Sequence, residues 1–307
     1  MSASQYTSRF TCVNGIRLHF LDWAGTGPAM CFLTGLGLSA FVYAGFAARF
    51  SEAYRVIALT RRGHGDSDYP ETGYDVDTLT EDLREFLDSL HVDRVILVGH
   101  SLANVELGHF TALYPHRVLA LVYLDAAYDG PKCKLAMEAD PLKDVKPPEA
   151  DARTTADYIR HLRGTRPDLA EIWGPLLDEE AQLMVRTTPE GQVVDRMPDA
   201  VAQALMDTYL GYSIEGLGTR VPVLSIYALH EDYALYKPDY LTPNQQALNA
   251  KHIREVHLPY QRECIEQFRR LVPHARIVVI PNGHHYCFIK HEALVFDEMT
   301  RFLAQTQ

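Results

Sequence analysis

A single serine stands where a buried strand gives way to a helix, in the segment VILVGHSLANVELG (residues 95–108). The apolar run Val95–Val98 predicts a fully buried strand. Apolar residues at helical spacing between Ser101 and Pro115 predict a helix. A turn this sharp holds its central side chain away from the sheet. G-x-S-x-G is the sequence pattern of such a turn. That pattern is present as GHSLA (residues 99–103), with alanine at its last position, and makes the serine a candidate nucleophile.

A serine hydroxyl is a good nucleophile only when a nearby base takes its proton, and histidine is the commonest such base. The segment IVVIPNGHHYCF (residues 277–288) predicts a strand that ends at Ile280, followed by a turn that carries His284 and His285. Parallel sheets place functional groups in the loops after their strands. Both histidines are therefore candidate bases.

These residues need a scaffold that brings the ends of several strands together. Strands alternate with helices over the first part of the chain, which predicts an α/β fold with a mostly parallel central sheet and helices on both faces. The alternation stops for about 95 residues between Leu124 and Val221, far more than an ordinary connection. We expect a core of residues 1–128 and 219–307, interrupted by a mainly helical lid at residues 129–218.

The composition is that of a globular protein, with 47% hydrophobic and 22% charged residues among 307. The formal charge of −11 argues against nucleic-acid partners and anionic membrane surfaces, which require basic patches. No apolar run approaches the ~20 residues of a membrane span.

The five cysteines are widely spaced and odd in number, which is typical of free thiols in a reducing compartment. The first ten residues lack the pattern of a secretory signal. A cytoplasmic location is therefore expected.

Four segments, in this order, resemble the motifs of the α/β-hydrolase family. They are TGLG (34–37), RRGHGDSD (61–68), GHSLA (99–103) and PNGHHY (281–286). The resemblance covers the chain outside the lid and implies a serine hydrolase. Thr34 replaces the usual histidine of the oxyanion loop, and Ala103 replaces the last glycine of the serine turn.

The resemblance also implies an oxyanion hole and a substrate pocket. The backbone amides of Leu36 and Leu102 would form the hole. The residues expected to contact substrate are Gly35, Gly37, His100, Trp173 and Tyr209.

The family pattern P-N-x-x-H favours His285 as the base, whereas the family's G-H dipeptide favours His284; we choose His285. The family's acid follows the seventh strand, and the same position here is Glu231. Asp232 is its neighbour, and Asp125 is a further alternative because some members take the acid from the preceding strand. We rank these carboxylates in that order.

The expected reaction is acyl transfer through an acyl-enzyme, without metal or other cofactor. The favoured substrate is a small or medium carboxylic ester. A C–C bond hydrolase, a thioesterase, an amidase or lactonase, and an acyltransferase remain alternatives on the same residues. A ligand-binding or receptor protein without turnover is the alternative outside the enzymes. The expected partner is a small acyl-containing molecule, and the sequence does not predict the oligomeric state.

Overall fold

A computed structural model describes residues 6–231 and 239–306. Asp232, one of the candidate acids, lies outside the described residues.

The strands and helices follow one another along the chain as the hydrophobic pattern predicts for the core. The strands are β1 Thr7–Val13, β2 Ile16–Asp22, β3 Ala29–Leu33, β4 Arg55–Leu59, β5 Val95–His100, β6 Val118–Leu124, β7 Val185–Thr187, β8 Val193–Asp195, β9 Val223–Ala228 and β10 Arg276–Ile280. The helices are α1 Ala44–Ala48, α2 Val76–Ser89, α3 Asn104–Leu113, α4 Gly130–Glu138, α5 Thr155–Thr165, α6 Pro167–Glu171, α7 Pro175–Leu183, α8 Asp199–Gly211, α9 Pro243–His252, α10 Leu258–Leu271, α11 Cys287–Lys290 and α12 Glu292–Leu303. None of the helices in the described ranges is both long and apolar enough to cross a membrane.

The central sheet has the strand order β1-β2-β4-β3-β5-β6-β9-β10 within the described part of the chain. The strands from β4 to β10 in this order pair in parallel, and β1 and β2 pair antiparallel at one edge. The predicted α/β fold class is confirmed. The parallel strands end at one edge of the sheet, so the loops that follow β3, β5, β6, β9 and β10 lie side by side.

The first hairpin turns at Asn14-Gly15, as the dipeptide predicts. Asn14 has φ 49° and Gly15 has φ 75°, the positive values that a type I′ turn needs at both central positions. The hairpin adds the antiparallel edge to the sheet.

The core lies on both faces of the sheet because the central strands are apolar throughout. All residues of β3, β5 and β9 are buried. One face packs against α2, α3 and α10, and the other packs against α1 and α12. A strand buried on both faces needs a continuous apolar run, which is what Val95–Val98 provides.

Residues 129–218, hereafter the insertion, contain helices α4 to α8 and the small hairpin β7–β8. The sequence predicts helices here but not this hairpin, because three-residue strands are too short to show a periodic pattern. Helix α7 of the insertion reaches the loop after β3. The buried Glu180 carboxylate accepts hydrogen bonds from the Ser39 backbone N–H at 2.5 Å and from the Ser39 hydroxyl at 2.7 Å.

A buried ion pair joins the loop after β4 to helix α3. The Arg61 guanidinium donates to both carboxylate oxygens of Glu106 at 2.6 Å, and its Nη2 donates to the Thr34 carbonyl at 3.0 Å. Arg61 is 3% exposed and Glu106 is 2% exposed. The pair thereby ties together the loops that follow β3 and β4 and the helix that follows β5.

Glu106→Gln should lower the free energy of unfolding by about 3–5 kcal/mol, because it leaves the Arg61 charge buried without its counter-charge. Urea unfolding measures this change. The matched control is Glu266→Gln, which removes an exposed pair with Arg269 and should cost under about 1 kcal/mol. Equal effects of the two substitutions would contradict the structural role of the buried pair.

Glu180 should make stability depend on pH. Burial raises its pKa to about 7, although the Ser39 hydrogen bonds oppose the shift. The folded chain then binds more protons than the unfolded chain between the ordinary glutamate pKa and about 7, so this group makes stability fall as pH rises through that window.

Glu180→Gln removes that titration and keeps one oxygen, which can accept the hydrogen bond from the Ser39 N–H. Between about pH 5 and about pH 8, the stability of the variant relative to wild type should rise by roughly 2–3 kcal/mol. Thermal unfolding across this range tests it, with the exposed neighbour variant Glu179→Gln as control. A pH-independent difference would contradict the titration of Glu180.

Candidate active site

Ser101 occupies the sharp turn between β5 and α3. Its φ is +53°, a left-handed conformation that is strained for serine and aims the side chain off the end of the strand. The turn has room only for glycine at Gly99, because a Cβ at this position would lie 2.7 Å from the Leu107 side chain and 2.9 Å from the Ala103 Cβ. Ala103, which departs from the family pattern, is therefore accommodated beside a glycine that has no side chain.

The loop after β3 lies directly against this turn. A Cβ on Gly35 would lie 2.8 Å from the His100 Nδ1 and 3.1 Å from the Ser101 Cβ. The Thr34 hydroxyl donates to the Leu38 carbonyl at 2.9 Å. Thr34, where the family has histidine, thus closes the loop through its own side chain. Gly37 has φ +74°, which glycine adopts without strain.

His285 lies in the loop after β10 and is half-buried. Its Nδ1 is 2.7 Å from Oδ2 of Asp125. Its ring packs against the ring of His100, with centroids 4.4 Å apart. His100 also donates from Nε2 to the His285 carbonyl at 3.0 Å. Burial, together with the neighbouring His285, holds the pKa of His100 well below its usual value, so His100 is a neutral packing partner.

Asp125 directly follows β6 and is fully buried. Its Oδ1 accepts hydrogen bonds from the Tyr128 hydroxyl at 2.7 Å and from the Ala228 N–H at 2.9 Å. Its Oδ2 faces His285 Nδ1 at 2.7 Å and His230 Nε2 at 3.0 Å. Burial alone raises the pKa of Asp125, but the two imidazoles outweigh burial and hold the pKa below its usual range. The carboxylate is therefore ionised and orients the His285 ring.

His284 faces the insertion and not Asp125. Its Nδ1 accepts from the Tyr286 N–H at 3.0 Å, which leaves the hydrogen on Nε2 to donate to the Asp168 carbonyl at 3.0 Å. Burial lowers the pKa of His284. The two adjacent histidines therefore have different partners.

The carboxylate that contacts His285 is Asp125, whereas Glu231, which the sequence ranks first, points away from it. The Glu231 side chain is 44% exposed and lies 3.6 Å from the Arg262 guanidinium. The reason is local: the loop after β9 directs His230 inward and Glu231 toward solvent. Asp125, from the neighbouring strand, fills the position beside His285.

His230 is a site residue that the sequence analysis did not select. Its position in the sequence could have marked it as a candidate, because His230 follows a buried strand of the parallel sheet, as His284 and His285 do. The buried Gln261 of α10 bonds to it: Oε1 accepts from the His230 N–H and Nε2 contacts its Nδ1, both at 3.3 Å. Gln261 Nε2 also donates to the Ala228 carbonyl at 3.1 Å, which fixes the orientation of the amide.

Asp125, His230 and His285 form a potential metal donor set, since their ligand atoms lie within 4.8 Å of one another. The proton positions do not fit this role. Nε2 of His230, the atom that would have to bind the ion, lies 3.0 Å from Oδ2 of Asp125 and donates to it, because a carboxylate only accepts. We therefore assign these contacts as hydrogen bonds.

The two aromatic residues expected to contact substrate lie in different surroundings. Tyr209 packs in an apolar cluster that also contains Leu36 and Leu102, and burial raises the pKa of its hydroxyl. The Trp173 indole instead donates to Asp178 at 2.8 Å. A cavity of about 920 Å³ lies between the insertion and Tyr240, and its lining includes Tyr158, His161 and Met197.

Three comparisons place the chain among known proteins. A 2-(acetamidomethylene)succinate hydrolase of Mesorhizobium japonicum is 30% identical over 157 residues, covering 49% of this chain and 56% of that protein. The bifunctional epoxide hydrolase 2 of Mus musculus is 33% identical over 120 residues, covering 38% of this chain and 22% of that protein. The crystal structure of E-2-(acetamidomethylene)succinate hydrolase superposes with a TM-score of 0.72 at 22% identity, over 98% of this chain and 100% of that chain.

The chain spans between about a third and just over half the length of the first curated relatives that it matches. The model of the alpha/beta hydrolase family matches residues 32–298, which include every loop of the site described above. The chain therefore belongs to the alpha/beta hydrolase family.

Proposed function

We propose that this protein is a serine hydrolase in which Ser101 is the nucleophile, His285 the general base and Asp125 the orienting carboxylate. The observation that carries the proposal is the 2.7 Å contact between His285 Nδ1 and the ionised Asp125, together with a serine held at positive φ directly after His100, whose ring packs against His285. With its Nδ1–H donating to Asp125, the neutral His285 ring has its lone pair on Nε2, which can accept the serine proton.

The inferred reaction is acyl transfer. Ser101 attacks a carbonyl carbon while His285 takes its proton, and the amides of Leu36 and Leu102 stabilise the negative charge on the oxygen. His285 then protonates the leaving group. Water, activated by the same histidine, releases the acyl group from Ser101.

We propose a small or medium carboxylic ester as the substrate class. Serine at the turn favours acyl transfer over reactions that need a carboxylate nucleophile. The name of the Mesorhizobium japonicum relative includes an acetamido group, so an N-acyl substrate is the first alternative to test.

A binding protein without turnover would need neither an activated serine nor an oriented histidine. Asp125 and His285 are in contact here, which favours the enzyme.

Asp125→Asn should lower kcat by about 10³–10⁴-fold, because an amide N–H facing Nδ1 would favour the wrong tautomer of His285. Glu231→Gln, a similarly conservative change on an exposed side chain, should stay within about threefold of wild type. Steady-state hydrolysis of p-nitrophenyl butyrate compares the two. A larger loss for Glu231→Gln would restore Glu231 as the acid.

A fluorophosphonate probe should label Ser101, as located by peptide mass spectrometry, and Ser101→Ala should abolish both labelling and turnover. A p-nitrophenyl ester series of increasing chain length, run beside the matching anilides, measures the substrate class. Faster turnover of anilides than of esters would contradict the ester proposal while keeping the nucleophile. Absence of labelling in wild type would contradict the nucleophile itself.

A further inference from the structure

The loop after β9 contributes a second imidazole to the carboxylate that orients His285. His230 is buried, and its Nε2 lies 3.0 Å from the same Asp125 Oδ2 that contacts His285. The rings of His230 and His285 meet edge to face, with centroids 5.8 Å apart and an interplanar angle of 83°. A serine–histidine–acid site needs one imidazole at the carboxylate, so the second has no part in the reaction proposed above.

The ionised Asp125 carboxylate places a hydrogen on Nε2 of His230, because a carboxylate accepts hydrogen bonds and donates none. His230 therefore donates from Nε2 to the Asp125 oxygen that faces it at 3.0 Å. The Gln261 amide is oriented by two backbone groups, the His230 N–H and the Ala228 carbonyl. Its nitrogen carries two hydrogens, and the Ala228 carbonyl and the Tyr128 hydroxyl each lie 3.1 Å from it. Gln261 also donates to the hydroxyl of Tyr128, which itself donates to Oδ1 of Asp125.

We infer that His230 is a positioning residue, which fixes the Asp125 carboxylate so that His285 is correctly oriented before the reaction begins. This inference rests on the proposed function. Three donors that are independent of His285 hold the carboxylate, namely the Tyr128 hydroxyl, the Ala228 N–H and the His230 Nε2–H. Of these, His230 is the one on Oδ2, the oxygen that His285 uses.

The arrangement accounts for the displaced acid. The family pattern places the acid after the strand that corresponds to β9, at the position of Glu231, whereas the carboxylate here comes from the end of β6. The loop after β9 then supplies a donor to that carboxylate. A fixed carboxylate lowers the reorganisation that accompanies proton transfer to His285, since the dipoles are already in place.

The test compares His230→Met, which removes the N–H at similar length, with His230→Gln, whose side-chain N–H can reach the position of Nε2. His230→Met should lower kcat for p-nitrophenyl butyrate about tenfold with KM within about twofold, since the interaction acts on the reacting groups and not on substrate binding. His230→Gln should recover most of that loss. Equal kcat values for the two variants would overturn the inference.

A second readout does not depend on the substrate. The proton between His285 Nδ1 and Asp125 should give a low-field proton resonance, assigned by its absence in His285→Ala. His230→Met should move this resonance downfield, because Oδ2 then has one donor fewer and bonds more strongly to His285. His230→Gln should leave the resonance near its wild-type position.

This readout separates the two proposals. An unchanged resonance in His230→Met would overturn the inference even if Ser101 is labelled and esters are hydrolysed. A shifted resonance in a protein without labelling would support the His230 contact while the serine hydrolase proposal fails. Thermal unfolding of both variants shows whether a loss of kcat arises because the variant is less stable. A loss of kcat that parallels only the fall in unfolding temperature would also overturn the inference.

Discussion

The arrangement of the site depends on one buried carboxylate. Asp125 accepts hydrogen bonds from Tyr128, from the backbone of β9, and from imidazoles in the loops after β9 and β10. A carboxylate without donors in this position would be strongly unfavourable, and its pKa would rise until it was neutral. The donors therefore keep Asp125 charged, and the charge in turn holds the ends of three neighbouring strands, β6, β9 and β10, at fixed positions.

The parallel sheet makes this convergence possible. Strands β5, β6 and β9 are neighbours, and the register pairs His100 with Leu124 and Leu124 with Ile226. The residues directly after β5 and β6 are Ser101 and Asp125, and both have positive φ, at 53° and 47°. Each conformation costs on the order of 1 kcal/mol or more and persists only where the surroundings impose it. Strain at two adjacent strand ends is typical of a site whose side chains must leave the plane of the sheet.

Local patterns predicted the parts of the site that one segment defines. Ser101 was predicted from a strand, a turn and a helix that are consecutive in the sequence. The fold class was predicted from the alternation of strands and helices along the chain. The contact of Asp125 with His285 did not follow, because Asp125 and Glu231 both stand after buried strands, and which of them lies beside the histidine depends on how two loops pack in three dimensions. His230 was missed for the same reason: its partner is 105 residues away, and no spacing rule joins them. The hairpin of the insertion was too short to leave a pattern.

The insertion contacts the site through polar groups on two separate loops. Glu180 bonds to Ser39 beside the loop that carries Leu36, and the Asp168 carbonyl bonds to His284 beside the proposed base. Both contacts are buried, where a lost hydrogen bond costs more than at the surface. A displacement of α6 and α7 would therefore act on the loop after β3 and on the loop after β10 together. The sheet aligns Ser101 and Asp125, and the insertion holds the loops that carry Leu36 and His285.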